Sequence, residues 1–381
     1  MDYSEINSHV RPLDLVKDGN ILYAAVANSN YIYELYELDK RVRALGKFDD
    51  NFYSYPYIAV EKYENDLFFI PKRADKIAVF NLDSRIMTYI DLKNPIVGQK
   101  MVYRETLKFC YTITHGELLF ALGYFYPAIA CLNMRTKEIK YITEWRDEFE
   151  GHITQGNDCG YFGGGYYEED NKLYIPCAGI PYLLELDLSN FETKLQRIDC
   201  GLDGILDLQK DNEKLWLIGK KESYGYVSRY DLKTKENIVI KPCDKLPVKT
   251  HYLPFWNIIC DSQKVYLIPR IAKEGYVLDK ETLEIHNIDI KIAQDCYDEF
   301  GEISNFYMVK QIENKVYTVS FEGIWYELDL INGEISKYEY IIPNEICKDE
   351  LKNRINKQGI CNEAQVGLET FIDFITDGGN V

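Results

Sequence analysis

The sequence predicts an all-β fold, a seven-bladed β-propeller of four-stranded antiparallel blades that ends in a short α-helical C-terminal tail. The first observation is a sevenfold repeat of an apolar residue followed by an aromatic or apolar one, at steps of 42 to 55 residues. The pairs are Leu22-Tyr23, Leu67-Phe68, Leu118-Leu119, Leu173-Tyr174, Leu215-Trp216, Val265-Tyr266 and Val316-Tyr317. A repeat near 50 residues with strand chemistry in each copy is typical of propeller blades.

The second observation is a turn former that follows the apolar residue of each pair after 13 to 17 positions. These residues are Asp39, Asp83, Asn133, Asp187, Asp231, Asp279 and Asp329. Asp and Asn side chains accept hydrogen bonds from backbone N–H groups two residues further on, which stabilises tight turns. We therefore expect each side chain to close the turn that follows the third strand of its blade.

The seventh repeat shows most clearly how one copy forms a blade. Its segments 305–313, 315–321, 324–330 and 334–340 are predicted as strands A, B, C and D, because apolar and polar residues alternate and turn residues separate the segments. The Asn332-Gly333 dipeptide between strands C and D predicts a type I′ hairpin, which needs positive φ at both central residues.

The repeats divide the chain into a propeller, residues 1–341, and a helical tail, residues 342–381, that we expect to pack on it. A short helix is predicted over 346–356. Asn362 can cap a second helix whose apolar residues Leu368, Phe371, Ile372 and Ile375 share one face. The same face would also suit a protein partner or a dimer contact. How the ring of blades closes stays open.

Composition excludes several function classes. The 61 acidic and 44 basic residues give a net charge of −17, which opposes binding to nucleic acid or to anionic membranes. The N-terminus lacks the pattern of a signal peptide, and no apolar stretch reaches 18 residues. Ten cysteines without CxxC spacing are expected to be reduced thiols. We therefore expect a cytoplasmic protein.

No motif for a cofactor, a metal or a catalytic nucleophile is present, so no cofactor, metal site or catalytic residue is predicted. The five histidines never form HxH, HxxxH or HExxH, and there is no GxSxG elbow and no phosphate-binding glycine loop. Asp158, Asp203 and Glu302 are the acidic residues nearest to predicted strand A entrances. The glycines at 163–165 are expected to let the backbone approach closely at the crowded axis.

Three segments resemble known propeller repeats. The segment NMRTKEIKY (133–141) and, more loosely, DLINGEISKY (329–338) are similar to the strand C to D hairpin of PQQ-like repeats, and FGGGYY (162–167) resembles a kelch segment. The tryptophan that ends a PQQ-like unit is replaced by tyrosine, and the WD dipeptide is absent. Over residues 10–341 the chain resembles the broad kelch, WD and PQQ-like superfamily, without a closer family. This resemblance implies a ligand or partner site on the face that carries the B to C and D to A loops.

Cations and aromatic residues follow the B strands at this face, although ordinary solvated loops would also explain them. Ile70-Pro71 precedes Lys72 and Arg73, and Ile268-Pro269 precedes Arg270. Guanidinium groups and stacking aromatics bind carboxylates, phosphates and sugars. The candidate ligand-binding residues are Tyr57, Lys72, Arg73, Tyr124, Tyr126, His152, Lys220, His251, Trp256 and Arg270.

The preferred functional hypothesis is a non-catalytic propeller that binds a ligand or a peptide at its loop-rich face. Its partner would be a small anionic or sugar-like ligand or a peptide. One alternative is a lyase or hydrolase that acts on a carbohydrate or a modified peptide. A second alternative is a protein-interaction scaffold. Fold alone does not decide among these, because active sites are grafted onto folds.

Overall fold

A computed structural model describes most of the chain. The described residues are 9–27, 29–49, 56–93, 95, 107–152, 160–221, 224–241, 255–270, 272, 274–291 and 306–350, without the side chains of Tyr224 and Trp256. They form seven four-stranded antiparallel sheets, each built from four strands that are consecutive in sequence. The predicted fold, a seven-bladed β-propeller with a short C-terminal helix, is confirmed.

The strands are numbered β1 to β28 along the chain, four to a blade, with strand A first. Blades one and two comprise β1 (Pro12–Asp18), β2 (Ile21–Val26), β3 (Tyr31–Tyr36), β4 (Val42–Lys47), β5 (Tyr57–Tyr63), β6 (Asp66–Pro71), β7 (Lys76–Asn81) and β8 (Met87–Asp91). Blade three comprises β9 (Phe109–His115), β10 (Leu118–Gly123), β11 (Ile129–Asn133) and β12 (Ile139–Ile142), and helix α1 (Arg146–His152) follows it.

The other four blades repeat the same order. Blades four and five comprise β13 (Tyr167–Glu169), β14 (Lys172–Pro176), β15 (Tyr182–Asp187), β16 (Thr193–Arg197), β17 (Gly204–Asp211), β18 (Lys214–Lys221), β19 (Tyr224–Asp231) and β20 (Asn237–Ile240). Blades six and seven comprise β21 (Phe255–Cys260), β22 (Lys264–Pro269), β23 (Glu274–Asp279), β24 (Ile285–Lys291), β25 (Phe306–Ile312), β26 (Lys315–Ser320), β27 (Ile324–Asp329) and β28 (Ile335–Glu339). Helix α2 covers residues 344–350.

The repeated apolar pairs all lie in strand B of their blades, and their alternation explains why the blades stack. In strand B of blade one, Leu22 packs between blades one and seven, and Tyr23 packs between blades one and two. One residue of a strand therefore serves one interface and the next residue serves the other, because successive side chains point to opposite faces of a sheet. Seven apolar clusters between neighbouring blades follow from this pattern.

The turns between strands C and D differ from the predicted type I′ geometry. In the C to D turn of blade seven, Gly333 has a positive φ of 73°, whereas the φ of Asn332 is not positive. The N–H of Gly333 donates to the carbonyl of Asp329 (2.8 Å), as expected for a type I turn that is followed by one left-handed residue. Lys137 and Lys235 take the same left-handed position in blades three and five.

The recurring turn residue has the predicted role in blades three to seven. Asp279 Oδ1, for example, accepts hydrogen bonds from the N–H groups of Glu281 (3.0 Å) and Thr282 (2.8 Å). In blade two the role belongs to Asn81, whose Oδ1 accepts from the N–H of Ser84 (2.9 Å), instead of the predicted Asp83. The equivalent residues in the other four blades are Asn133, Asp187, Asp231 and Asp329.

The ring closes between blades seven and one without exchanging a strand. Trp325 of β27 is fully buried, and its Nε1 donates to the carbonyl of Val10, 3.0 Å away. The N–H of Val10 donates in turn to the carbonyl of Tyr340 (2.9 Å). An isolated β-bridge joins His9 to Ile341. The chain before β1 is therefore attached directly to the end of β28.

Helix α2 packs beside this closure. Cys347 belongs to the apolar cluster between blades one and seven. Glu350 Oε1 accepts hydrogen bonds from the N–H of Asn30 (3.0 Å) and from Ser29 Oγ (2.5 Å), and Lys47 pairs with Asp349 (2.8 Å). The helix thus joins the end of the propeller to the first blade. The second predicted helix, over 362–375, lies outside the described residues.

The glycines of blade four allow the closest approach between inner strands. A Cβ placed on Gly163 would lie 2.4 Å from the carbonyl oxygen of Leu206. One on Gly165, whose φ is +71°, would lie 2.2 Å from Asp207 Oδ1. Gly164 is different, since its Cβ would be 3.5 Å or more from any neighbour. The predicted close approach is confirmed at Gly163 and Gly165, whereas a Cβ on Gly164 would make only ordinary van der Waals contacts.

None of the helices within the described ranges is long and apolar enough to cross a membrane. Cys110, Cys131, Cys177, Cys200, Cys260 and Cys347 are free thiols that are buried or half-buried. Burial raises the pKa of Cys131 and Cys200 to about 11. These thiols therefore stay protonated at neutral pH and act as small apolar side chains.

We expect Trp325→Phe to destabilise the protein more than Trp216→Phe, by about 1 to 2 kcal/mol in the free energy of unfolding. Both indoles are buried, so both variants lose similar volume. Only Trp325 donates a hydrogen bond across the closure, whereas Trp216 Nε1 has no acceptor among the described residues. Guanidinium unfolding of the two variants measures the difference. Equal losses would show that the indole hydrogen bond does not stabilise the closure.

We expect Gly165→Ala to cost about 3 kcal/mol, because the new methyl group meets both a left-handed φ and an overlap with Asp207. Gly164→Ala is the matched control, and its methyl group fits at ordinary contact distances. We expect it to change the unfolding free energy by less than about 1 kcal/mol. Thermal and guanidinium unfolding test the pair, and similar stability of the two variants would contradict the argument.

Candidate functional site

One residue in each B to C loop stands at the same position around one end of the propeller axis. In blades one to four its N–H donates to the carbonyl of the residue just before the inner strand, as with Lys72 to Pro56 (2.9 Å) and Tyr124 to Lys108 (2.7 Å). We call this set the mouth ring. Its members in blade order are Ala27, Lys72, Tyr124, Ala178, Lys220, Arg270 and Phe321.

The mouth ring combines three cations with two aromatic residues. Four of its members were predicted site residues: Lys72, Tyr124, Lys220 and Arg270. Strand pairing fixes their equivalence, since Pro71 pairs with Tyr57 in blade two as Pro269 pairs with Phe255 in blade six. The backbone of these loops is held in place. The carbonyls of Lys72 and Arg270 accept hydrogen bonds from the inner-strand entrances of the next blades, from the N–H groups of Lys108 (2.8 Å) and Phe306 (3.2 Å).

The charges of Arg73 and Arg270 both act on Lys72, so the three cations lie near one another. Blades two and six are separated by blades one and seven, so their loops meet only across the mouth. Burial, followed by the charges of Arg270 and Arg73, lowers the pKa of Lys72 to about 7. Part of the Lys72 side chain still contacts water. We call these three residues the cationic mouth.

Two further cations lie beside the cationic mouth and were not predicted. The side chain of Lys108 is 7% exposed, and its Nζ donates to Asp75 Oδ1 (3.0 Å) and to the carbonyl of Arg73 (3.2 Å). Arg11 stacks its guanidinium over Phe321, 4.9 Å from the ring centre. Both residues immediately precede an inner strand, and this position is the only signal that the sequence offered.

Of the predicted aromatic residues of the site, Tyr124 and His152 lie on the mouth face, whereas Tyr57 and Tyr126 are buried between blades. Tyr124 is a half-buried member of the mouth ring. His152 ends helix α1 on the same face, exposed, and stacks on Tyr182 with ring centres 4.7 Å apart. His251 and the side chain of Trp256 lie outside the described residues.

Tyr57 and Tyr126 do not reach the mouth, which corrects their predicted placement. Each is 1% exposed. Tyr57 packs against Phe48 in the cluster between blades one and two, and Tyr126 packs against Phe109 in the cluster between blades two and three. The rings of both tyrosines lie in the apolar interface between neighbouring sheets. A large aromatic side chain buries more area there than it would at the mouth.

Below the mouth ring, a charged network lines the channel. Lys310 Nζ lies 2.8 Å from Asp14 Oδ1 and 3.8 Å from Glu61 Oε1, and Thr112 Oγ1 donates to the same Glu61 oxygen (2.9 Å). The two carboxylates raise the pKa of Lys310 above its ordinary range despite its burial, so it stays charged. The Lys310 side chain is 27% exposed, which shows that water-sized space reaches the middle of the molecule.

Asp207 forms a second polar centre in the channel. Its Oδ2 accepts a hydrogen bond from the N–H of Ile258 in the next blade (2.7 Å). Burial raises its pKa to about 7, against the opposing effect of the Ile258 N–H and the Asn257 amide. Asp207 is 2% exposed, and within the described ranges its Oδ1 has no partner of hydrogen-bonding geometry.

Among the residues that the structure describes, no group of three or more His, Cys, Asp or Glu side chains could hold a metal ion. Of the three acidic residues near the predicted strand A entrances, Asp158 and Glu302 lie outside the described residues. Asp203 lies at the entrance of β17, where its N–H donates to the carbonyl of Lys220 (2.7 Å).

No protein-family model and no curated protein matches the chain. Among solved structures, the chain is similar to virginiamycin B lyase from Staphylococcus aureus, with a TM-score of 0.57 and 11% identity over 82% of this chain and 92% of that one. It is also similar to BamB from Moraxella catarrhalis (TM-score 0.53, 9% identity, 87% and 89% covered). A chain of the mitotic checkpoint complex gives a TM-score of 0.54 at 9% identity, with 90% and 91% covered.

These similarities extend over most of each chain, but the identities are so low that they concern the fold alone. Proteins with such different activities share the propeller because its blades form a general scaffold. Together with the seven sheets and the sevenfold repeat, they show that the chain has the fold of a seven-bladed β-propeller.

Proposed function

We propose that this propeller binds an anionic ligand over its axis, through the cationic mouth of Lys72, Arg73 and Arg270. The observation that carries the proposal is the electrostatic effect on Lys72 of Arg73 from its own blade and of Arg270 from blade six, which is not a neighbour of blade two. A carboxylate- or phosphate-bearing ligand placed between them would be held from two sides. Charge-assisted hydrogen bonds of this kind are among the strongest that proteins make.

The electrostatics of the mouth support an anion. Bringing three cations together costs free energy, and the charges of Arg270 and Arg73 add to burial, the larger cause, in lowering the pKa of Lys72. The positive charge of the cationic mouth also counteracts the protein's net charge of −17, which would otherwise repel anions. An anion at the mouth would relieve the repulsion among the cations.

The mouth ring suits a small ligand or the end of a peptide. Tyr124 adds an aromatic side chain to the cations of the mouth ring, a combination suited to acidic sugars and aromatic peptides. The resemblance to the lyase and to the checkpoint chain is one of fold, so neither catalysis nor a protein partner follows from it. The anion-binding function depends on the mouth residues themselves.

We expect sulfate and glucuronate to bind the protein, and Arg270→Ala and Lys72→Ala to weaken that binding about tenfold each, as for the loss of one charged hydrogen bond. Isothermal titration calorimetry measures both affinities. Lys233→Ala is the control, because Lys233 is exposed in the C to D turn of blade five, at the opposite end of the blade. Equal affinity of the wild type and Arg270→Ala would overturn the proposal.

Binding should also depend on pH with a defined sign. In the free protein Lys72 loses its proton near pH 7, and a bound anion raises its pKa. Affinity should therefore be constant below pH 7 and fall as the pH rises above it, with proton uptake on binding at pH 8. Sulfate and glucuronate keep their charge in this range, so the change reports on the protein. An affinity that rises with pH would contradict the assignment of Lys72.

A further inference from the structure

Arg11 lies at the entrance of β1, beside the mouth ring. Its carbonyl accepts a hydrogen bond from the N–H of the ring member Ala27 (3.0 Å), and its guanidinium carbon lies 4.9 Å from the ring centre of Phe321, the member from blade seven. The ring of Tyr307 stacks on that of Phe321, and its centre lies 5.8 Å from the same carbon. We call Arg11, Phe321 and Tyr307 the Arg11 site.

No described carboxylate pairs with this guanidinium. Within the described part of the chain it has neither a hydrogen-bond acceptor nor an ion-pair partner, and Glu322, the residue after Phe321, does not pair with it. By contrast, Arg41 and Arg135 are exposed and each pair with a carboxylate, at 3.7 and 2.9 Å. The positive charge of the half-buried Arg11 is therefore left uncompensated by the described residues.

The end of the Arg11 side chain is open to solvent. Its Nε is buried, whereas the two Nη atoms, which have no described partner either, keep accessible surface. An anion can therefore approach in the plane of the guanidinium and accept hydrogen bonds from both Nη atoms. Arginine offers this bidentate geometry to carboxylates and phosphates. Stacking on Phe321 holds the guanidinium in place, which lowers the entropic cost of binding.

The Arg11 site flanks the cationic mouth but is separate from it. Blades one and seven, which form the Arg11 site, pack between blade two with Lys72 and blade six with Arg270. The charge of Arg11 does not contribute to the lowered pKa of Lys72, so the two cationic centres are distinct. Packed sheets lie about 10 Å apart, so the two centres are separated by a distance on the order of 10 Å.

We propose that the ligand of this propeller carries two anionic groups, one bound at the Arg11 site and the other at the cationic mouth. The second site rests on the proposed anion binding at the mouth and specifies the class of its ligand as a dianion with separated charges. Two anionic groups in one molecule bind more tightly than either group alone, because the second group binds at a high effective concentration.

The test compares glucarate, which has a carboxylate at each end of a six-carbon chain, with gluconate, which has the same chain and one carboxylate. With hydrogen bonds of about 2.8 Å at both ends, glucarate can span a gap on the order of 10 Å. Isothermal titration calorimetry at pH 6, below the pKa of Lys72, measures both affinities. We expect the wild type to bind glucarate about tenfold more tightly than gluconate, as for one additional charged hydrogen bond.

Arg11→Met should remove the advantage of glucarate and leave the affinity for gluconate unchanged, because gluconate uses only the cationic mouth. The unbranched methionine side chain still packs on Phe321, so the platform is kept. Guanidinium unfolding of the variant establishes that a loss of binding comes from a folded protein.

Arg41→Met is the matched control. Arg41 also stacks on an aromatic ring, with its guanidinium carbon 4.2 Å from the centre of Tyr36, but it is paired with Asp39. It lies in the C to D turn of blade one, at the opposite end of the blade. Both affinities should be the same in Arg41→Met as in the wild type.

Three results would overturn the proposal. The wild type could bind glucarate and gluconate equally well. The advantage of glucarate could persist in Arg11→Met, which would show that the second carboxylate binds elsewhere. Gluconate could lose affinity in Arg11→Met as much as glucarate does, which would show that Arg11 is not a separate anion site.

A carboxylate and a phosphate share this chemistry, and 6-phosphogluconate distinguishes them at the Arg11 site. It has the gluconate chain with a phosphate at the other end. If it binds more tightly than glucarate and loses its advantage in Arg11→Met, the Arg11 site prefers a phosphate. If it binds more weakly than glucarate, the site prefers a carboxylate.

The failure of this site and that of the cationic mouth are distinguishable. If sulfate and gluconate bind the wild type but glucarate has no advantage, only the Arg11 site fails. If neither sulfate nor gluconate binds, the cationic mouth fails and the two-point ligand with it. In the double variant Arg11→Met/Arg270→Ala, the two fold-losses of glucarate affinity should multiply, because each variant removes the contact of a different carboxylate.

Discussion

Each sheet of this protein needs a neighbour on both faces, and the seven interfaces exist together only if the last blade packs on the first. The alternating side chains of strand B, such as Leu22 and Tyr23, supply one residue to each interface. Trp325 and Val10 then join blade seven to the segment before blade one. The inner strands crowd around the axis as a result, and this crowding selects glycine at Gly163 and Gly165.

The inner strands also leave one edge of backbone groups that no further strand covers. Side chains of one blade satisfy some of these groups on the next blade: Asp14 does so for Val60, and Asp207 for Ile258. Polar residues in the channel therefore have a structural role first.

The sequence by itself determined the number of blades, the strand order and most of the turn chemistry, because these depend on patterns within about 50 residues. It also identified the cations after the B strands. Only the tertiary structure decided that Lys72 and Arg270 meet across the axis, that Tyr57 and Tyr126 are buried, and that Asp14 is paired while Asp207 Oδ1 is not. Each of these outcomes depends on contacts between residues of different blades. Ring closure sets the distances between those residues, and no local sequence pattern encodes ring closure.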